Sequence, residues 1–197
     1  DIFYAATLEE STAKKKEIYE TTTNLYDKDY RAYNNLAVMA FNKGDENAAK
    51  SYVKQAFAKN QKAPEGYANL ALIALRNGNI AEAESNLSKA INANGFGEVL
   101  GNLNIAKGNY ATAVKNFEGS KSNSAALAQI LNKDYAAAVA TLKDQKNADA
   151  LSDYLMAIVQ NRQGNTAAAQ DYLNSAIKKN SALSQYADND LEFANLK

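Results

Sequence analysis

Two equivalent segments of this chain decide its fold. The first, residues 33–56, reads YNNLAVMAFNKGDENAAKSYVKQA, and the second, residues 67–90, reads YANLALIALRNGNIAEAESNLSKA. Aligned from their first residues, they share Tyr, Leu and Ala near the start and Gly followed by Asp or Asn in the middle. Apolar residues recur at helical spacing on both sides of that Gly, which predicts two helices joined by a tight turn.

The turn signal occurs five times along the chain. Its positions are Gly44-Asp45, Gly78-Asn79, Gly108-Asn109, Lys133-Asp134 and Gly164-Asn165. In four of the five a Gly is suited to the left-handed conformation that ends a helix, and in all five the following Asp or Asn is a good cap for the next helix. The interval between successive turns is longest from Gly44 to Gly78 and shortest from Gly108 to Lys133, so we expect shorter helices or loops in the middle of the array.

Small residues recur in register with these turns. Five residues beyond each turn lies an alanine, at Ala49, Ala83, Ala113, Ala138 and Ala169. Four residues further comes a larger apolar residue, at Val53, Leu87, Phe117, Leu142 and Leu173. A second small column precedes the turns, at Ala37, Ala71, Gly101, Ala126 and Ala157. Because antiparallel helices approach closely only where facing side chains are small, these columns predict the places where paired helices cross.

The composition excludes several classes of function. The 197 residues include 38 Ala, 25 Asn and one Pro, no His and no Cys, with 22 basic and 22 acidic residues. A histidine base, a Ser-His-Asp or Cys-His nucleophile and a His- or Cys-ligated metal are therefore excluded. We expect no cofactor, no nucleic-acid partner because the net charge is zero, and no membrane insertion because no stretch approaches about 18 uninterrupted apolar residues.

The repeated positions resemble the tetratricopeptide repeat (TPR) family. The residues that carry the resemblance are Tyr33, Leu36, Ala37, Gly44, Ala49, Val53 and Ala56, then Tyr67, Leu70, Ala71, Gly78, Ala83, Leu87 and Ala90. The step from Tyr33 to Tyr67 equals the repeat length of that family. The resemblance implies an all-α fold, a right-handed superhelix (solenoid) of about six helix pairs with a C-terminal capping helix.

Within one predicted solenoid domain the repeat register divides the chain into units. The expected units are 1–29, truncated, with a helix over 11–26 that buries Ile18, Tyr19 and Leu25; 30–62 and 63–95, regular; 96–120 and 121–145, shortened; 146–180; and a capping helix at 181–197 that includes Ala182, Leu183, Tyr186, Leu191 and Phe193. Because the chain opens at Asp1 and only Ile2, Phe3, Tyr4 and Ala5 remain of a preceding helix, we expect it to continue a longer protein upstream.

The inner helices of such a solenoid present a groove, and that groove is the predicted binding site. The expected groove residues are Arg31, Asn34, Asn35, Val38, Asn69, Leu72, Arg76, Glu98, Asn102, Asn123, Tyr154 and Arg162. Asn side chains offer both donors and an acceptor without charge, which suits the alternating groups of an extended peptide backbone. The alternative is that Asn is simply abundant here and fills polar surface.

The sequence therefore predicts a non-enzymatic scaffold that binds a peptide segment or a partner helix. A structural spacer or dimerisation element, self-associating through the truncated N-terminal edge, is the alternative. An enzyme acting on carbohydrate or peptidoglycan would need paired carboxylates on facing helices, and an RNA-binding repeat would need a basic groove.

A narrower resemblance concerns location. The runs Asn123–Leu131, Lys133–Tyr135 and Asn189–Ala194 resemble the C-terminal TPR region of envelope proteins of Bacteroidetes that carry an OmpA-like module upstream, and Tyr4–Leu8 resembles the entry to that region. This resemblance implies a periplasmic protein associated with the outer membrane or the cell wall. A chain without an upstream signal peptide would instead be cytoplasmic.

Overall fold

The computed structural model describes residues 12–25, 30–90, 96–146 and 148–197. Every regular element in these ranges is a helix, as the alanine-rich sequence with its single proline predicts. The elements in chain order are α1 Thr12–Leu25, α2 Tyr30–Asn42, α3 Glu46–Lys59, α4 Pro64–Arg76, α5 Ile80–Lys89, α6 Gly97–Ala106, α7 Tyr110–Asn116, α8 Asn123–Leu131, α9 Tyr135–Lys143, α10 Ala150–Arg162, α11 Thr166–Lys179, α12 Ala182–Asn189 and a closing 3-10 helix Leu191–Leu196.

These helices fall into two compact units, divided between Val99 and Leu100. In the first unit α2 packs against α3 and also against α4, which pairs with α5. In the second unit α8 packs against α9 and also against α10, which pairs with α11. The helices α7, α8 and α9 have 7, 9 and 9 residues where α2 and α3 have 13 and 14, as the shorter turn spacing predicts.

All five predicted turns share one backbone geometry. The turn residue has a left-handed φ in each case: 82° at Gly44, 71° at Gly78, 79° at Gly108, 66° at Lys133 and 83° at Gly164. The next residue donates its N–H to the carbonyl five positions back, as Asp45 does to Ala40 and Asp134 does to Gln129. This is the Schellman pattern, which satisfies the last carbonyls of one helix while reversing the chain.

The predicted side-chain caps form at two of the five turns. Asp45 accepts from Ala48 N at 3.0 Å and Asn79 accepts from Glu82 N at 3.1 Å. The residues at the other three turns occupy the cap position but make no such bond. The side chain of Asn165 bonds to the preceding helix, where its amide donates to Gln160 Oε1 at 2.9 Å. The expectation of five side-chain caps is therefore wrong at three positions.

The small columns lie where paired helices cross, as predicted. All five alanines beyond the turns are completely buried, with an exposed fraction of 0%. The larger residues that follow them, Val53 to Leu173 in the same register, are buried as well. In the upstream column a Cβ added to Gly101 would lie 2.4 Å from the ring of Phe117, so glycine is needed there for the ring to fit.

The two ends of the chain depart from a regular repeat. In α1, Tyr19 is buried as expected and Ile18 is half-buried, whereas the side chain of Leu25 and residues 2–5 lie outside the described part. The closing segment, expected as one helix, is broken at Asp190, whose side chain caps the 3-10 helix by accepting from Glu192 N at 3.0 Å. As a result Phe193 is buried, while Leu191 is 88% exposed.

The start of α10 is held by a reciprocal cap. Ser152 N donates to Asp149 Oδ1 at 2.8 Å, and Asp149 N donates to Ser152 Oγ at 3.2 Å. Asn123 Nδ2, at the start of α8, donates to the same carboxylate at 3.1 Å. Burial of this carboxyl disfavours its charged form, but the bonds from Ser152 and Asn123 outweigh that effect and hold the pKa of Asp149 below its ordinary value.

The turn geometry predicts opposite effects for exchanging Lys and Gly at equivalent turns. Lys133→Gly removes a left-handed L-residue and is expected to raise the free energy of unfolding by about 1 kcal/mol. Gly164→Lys is expected to lower it by a similar amount, because no atom lies within 4 Å of its added Cβ and only the backbone conformation is strained. Urea unfolding of both variants measures the difference, and a loss of stability in Lys133→Gly would contradict the turn assignment.

The cap on α10 predicts a specific acid sensitivity. Because the pKa of Asp149 is lower in the folded chain than in the unfolded one, its contribution is fully present above about pH 4 and disappears as the pH falls through the folded-state value. Asp149→Asn is expected to lose stability at pH 7 and to depend less on pH below 4 than the wild type, in urea titrations at each pH. Ser152→Ala should weaken the same dependence. If the free energy of unfolding of Asp149→Asn fell as steeply below about pH 4 as that of the wild type, the cap would not be the source of the acid sensitivity.

Candidate functional site

One face of the first unit brings together several of the predicted groove residues around a cavity. On α2 they recur at positions i, i+3, i+4 and i+7, and on α4 at matching positions, so each set lies on one helix face. The cavity has a volume of about 330 Å³. The residues that line it are Arg31, Asn34, Asn35, Val38, Glu65, Ala68, Asn69, Phe96 and Val99.

The lining combines predicted residues with others that the groove assignment missed. Five of the predicted residues meet here, from Arg31 to Asn69, together with Glu65, which the same register places on this face of α4. Ala68, Phe96 and Val99 were not predicted, although Ala68 occupies the same place relative to its turn as Asn34, and that register could have identified it. Phe96 lies just before α6, outside the helical register from which the groove was predicted. The apolar part of the cavity is therefore larger than the sequence indicated.

Two buried polar atoms in this cavity lining have no hydrogen-bond partner within the described ranges. They are Nδ2 of Asn34 and Oε2 of Glu65. Asn34 is only 4% exposed, and its backbone oxygen and Oδ1 accept from Asn69 Nδ2 at 3.3 and 3.5 Å. A buried polar group without a partner costs about 1–3 kcal/mol, and more when it is charged. The cavity thus offers one donor and one acceptor that remain unsatisfied in this structure.

Arg76 and Leu72 extend the face toward the end of α4 but do not line the cavity. Leu72 is half-buried. The guanidinium of Arg76 donates to the backbone oxygen of Phe41 and lies 3.4 Å from the centroid of its ring. A cation over an aromatic ring is favourable, and here it joins the ends of α2 and α4. Arg76 therefore holds neighbouring repeats together in this structure.

Three further predicted groove residues lie on α6 and α8. Glu98 is exposed and Asn102 half-buried. Asn123 accepts from Gln145 Nε2 at 3.0 Å through its Oδ1, in addition to its bond to Asp149. Its amide is thus engaged in joining the start of α8 to the loop before α10.

Tyr154 and Arg162, on α10, are both bonded to the chain's own closing segment. The hydroxyl of Tyr154 donates to Asp190 Oδ2 at 2.5 Å, and Arg162 Nε donates to Glu192 Oε2 at 3.0 Å. Burial of the ring and the nearby Asp190 carboxylate both raise the pKa of Tyr154 above its ordinary value. Arg162 also donates to the backbone oxygen of Ile130 at 3.3 Å, as Arg76 does to Phe41 at the equivalent place in the first unit.

Neither a metal-binding cluster nor a membrane-spanning helix occurs in the described part of the chain. No group of three or more acidic, His or Cys side chains that could hold a metal ion occurs among them. None of the described helices combines the length and the apolar character needed to cross a lipid bilayer. The apolar edge at Ile2 and Phe3, on which the dimerisation alternative depends, lies outside the described ranges.

Comparison with known proteins agrees with the repeat register. Residues 30–58 and 64–95 match the family model of the tetratricopeptide repeat. A tetratricopeptide repeat protein from Parabacteroides merdae ATCC 43184 has a similar structure, with a TM-score of 0.58 and 14% sequence identity, over 91% of this chain and 77% of that chain. The comparison with curated proteins gives no match.

At 14% identity, the structural likeness shows the fold alone. The prediction of an all-α, TPR-like solenoid fold is confirmed, and the upstream OmpA-like module and the envelope location remain predictions. Tetratricopeptide repeats generally mediate interactions between proteins. Residues 30–58 and 64–95 are therefore similar to two tetratricopeptide repeats, within a helical fold of the TPR type.

Proposed function

We propose that this chain is a non-enzymatic protein-interaction module whose first unit binds an extended segment of a protein partner in the cavity between α2 and α4. The observation that carries the proposal is the pair of unsatisfied buried atoms, Asn34 Nδ2 and Glu65 Oε2. A donor and an acceptor that no protein group satisfies are both available to a complementary ligand, which can form a hydrogen bond with each of them.

The main chain of an extended peptide supplies the complementary groups. In an extended strand the N–H and the C=O of one residue point to the same side, so one residue of a ligand is able to donate to Glu65 and accept from Asn34. This arrangement does not depend on the sequence of the ligand. It fixes the depth and the direction of the bound segment.

The apolar lining supplies the second part of the interaction. Val38, Ala68, Phe96 and Val99 line the same cavity of about 330 Å³ as the polar pair. Side chains alternate in direction along an extended segment, so every second one is directed to the protein and the cavity has room for a single large apolar side chain. We therefore propose that the preferred ligand carries a bulky apolar residue at that position.

The cellular setting remains a proposal that rests on the resemblance of the closing residues 189–194 and of residues 123–135 to envelope proteins. We propose that the chain is the TPR part of a larger protein of the periplasm or outer membrane. Fractionation of cells that produce the full-length protein tests this, with recovery in the envelope expected. Recovery in the cytoplasm would contradict it.

Asn34→Leu is expected to separate binding from stability. Leu fills a similar volume and removes the unpaired donor. It also removes Oδ1 as an acceptor, but Asn69 Nδ2 keeps its bond to the backbone oxygen of residue 34 at 3.3 Å, so the free energy of unfolding should change by less than about 1 kcal/mol. A peptide bound to this variant has no partner for its buried carbonyl. Peptides selected from a random phage-displayed library on the wild-type chain serve as probes. Their affinity should fall about five- to 150-fold, corresponding to about 1–3 kcal/mol.

Asn47→Leu provides the matched control, because Asn47 is exposed on α3 in the same unit. It should leave the affinity for the selected peptides unchanged. Glu65→Gln should weaken binding as Asn34→Leu does, because the charged acceptor is replaced by a neutral amide. Selected peptides that bind Asn34→Leu and Glu65→Gln as tightly as the wild type would show that the cavity is not the binding site.

A further inference from the structure

In the second unit, one face of α10 is covered by the closing segment of the same chain. Tyr154, Ile158, Asn161 and Arg162 lie at positions i, i+4, i+7 and i+8 and therefore share this face. Residues 190–195 lie against it, in the turn that starts the 3-10 helix and in that helix itself. We call this surface the α10 face.

The polar contacts of the α10 face recognise an acidic segment. Arg162 holds Glu192 through two contacts, Nε to Oε2 at 3.0 Å and Nη2 to Oε1. Asn161 Nδ2 donates to the backbone oxygen of Glu192 at 2.6 Å, and Tyr154 donates to the carboxylate of Asp190. A guanidinium that meets a carboxylate in a two-point fork is among the more specific charged contacts in proteins. The α10 face thus binds the carboxylates of Asp190 and Glu192 and the backbone carbonyl of Glu192.

One aromatic side chain anchors the segment. Phe193 is 1% exposed, and its ring meets the ring of Tyr154 edge to face, with centroids 5.2 Å apart and planes at 88°. The neighbouring Leu191 is exposed and contributes little to the attachment. The face therefore accepts a four-residue sequence with acidic residues at the first and third positions, any residue at the second and an aromatic residue at the fourth, as in Asp190–Phe193.

The apolar attachment of the closing segment depends on Ala187 and Phe193, with Leu183 and Leu196 packed partly buried against the same core. Of residues 181–197, only Ala187 and Phe193 are buried. Elements with few buried apolar contacts open locally at a lower free energy than the core of a domain. By contrast, the helix beneath is almost wholly buried from Ser152 to Val159. Release of the closing segment would expose Tyr154 and Ile158, whereas the sides of α10 that pack against α8 and α11 would keep their partners.

We propose that the α10 face is a binding surface for an acidic, aromatic-containing segment of a partner protein, and that residues 190–195 occupy it as an intramolecular ligand which that segment displaces. This proposal does not depend on the cavity of the first unit, because it uses a different helix and different groups. It makes the closing segment both a structural cap and a competitor for the partner.

Residues 190–195 are tethered to the α10 face and should compete with any free ligand for it. A segment on a short linker acts at an effective concentration in the millimolar range. If the face is closed about 99% of the time, the apparent affinity of a free ligand is reduced about 100-fold. Weakening the anchor within the chain should therefore tighten the binding of a free peptide, although the face itself is unchanged.

The test uses the full chain and a labelled synthetic peptide with the sequence of residues 187–197, followed by fluorescence anisotropy. Phe193→Ala in the chain is expected to raise the affinity for this peptide at least about tenfold over the wild type. Leu191→Ala is the matched control, because its side chain is exposed, and it should leave the affinity unchanged. The gain should disappear when Arg162→Gln is combined with Phe193→Ala.

A second variant keeps the test decisive if Phe193→Ala fails to fold. Glu192→Gln weakens the closing segment without opening a space in the core, and it should also tighten the binding of the wild-type peptide. Equal affinities in the wild type and both variants, or a gain that survives Arg162→Gln, would overturn the proposal. So would concentration-dependent dimers of the wild type that the free peptide dissolves, since the occupant would then be a second copy of the chain.

Discussion

The close approach of paired helices at columns of alanine is the constraint on which the rest of this structure depends. Ala49, Ala83, Ala113, Ala138 and Ala169 are completely buried. A larger side chain there would separate the helices, because protein interiors are packed too tightly to absorb added volume without a shift. The left-handed turn between the partners is equally necessary, since it reverses the chain within a few residues. With the alanine columns and the turns in place, one face of each of the helices α2, α4, α8 and α10 does not contact the helix with which it is paired.

The two units use that remaining face in different ways. In the first, the face holds a cavity with an unpaired amide donor at Asn34 and an unpaired carboxylate oxygen at Glu65. In the second, Tyr154 and Arg162 are already bonded to Asp190 and Glu192 of the same chain. The same helical scaffold thus accommodates an open site and a closed one, because the scaffold depends on the alanine columns and the sites depend on the outward residues.

The sequence predicts those features that depend on short-range spacing. Turns, helix lengths and the buried alanines follow from patterns within a single repeat, and the structure agrees with them. Contacts of the closing segment do not follow in this way: Tyr154 meets Asp190 across 36 positions, and nothing in the local pattern indicates that a break at Asp190 directs Phe193 inward. The bonds of Arg76 and Asn123 to other repeats were not predicted for the same reason. Helical spacing assigns each residue to a face of its helix but does not indicate which distant residue it contacts.

The amide of Asn34 has no partner within the protein, and a bound peptide should supply one. Its resonance can be followed in a two-dimensional ¹⁵N–¹H spectrum of the side-chain amides while a library-selected peptide is added to the wild-type chain. We expect the Asn34 resonance to shift downfield and its exchange with solvent to slow, while the Asn47 resonance stays unchanged. A peptide that binds and leaves the Asn34 resonance where it was would show that the peptide does not occupy this cavity.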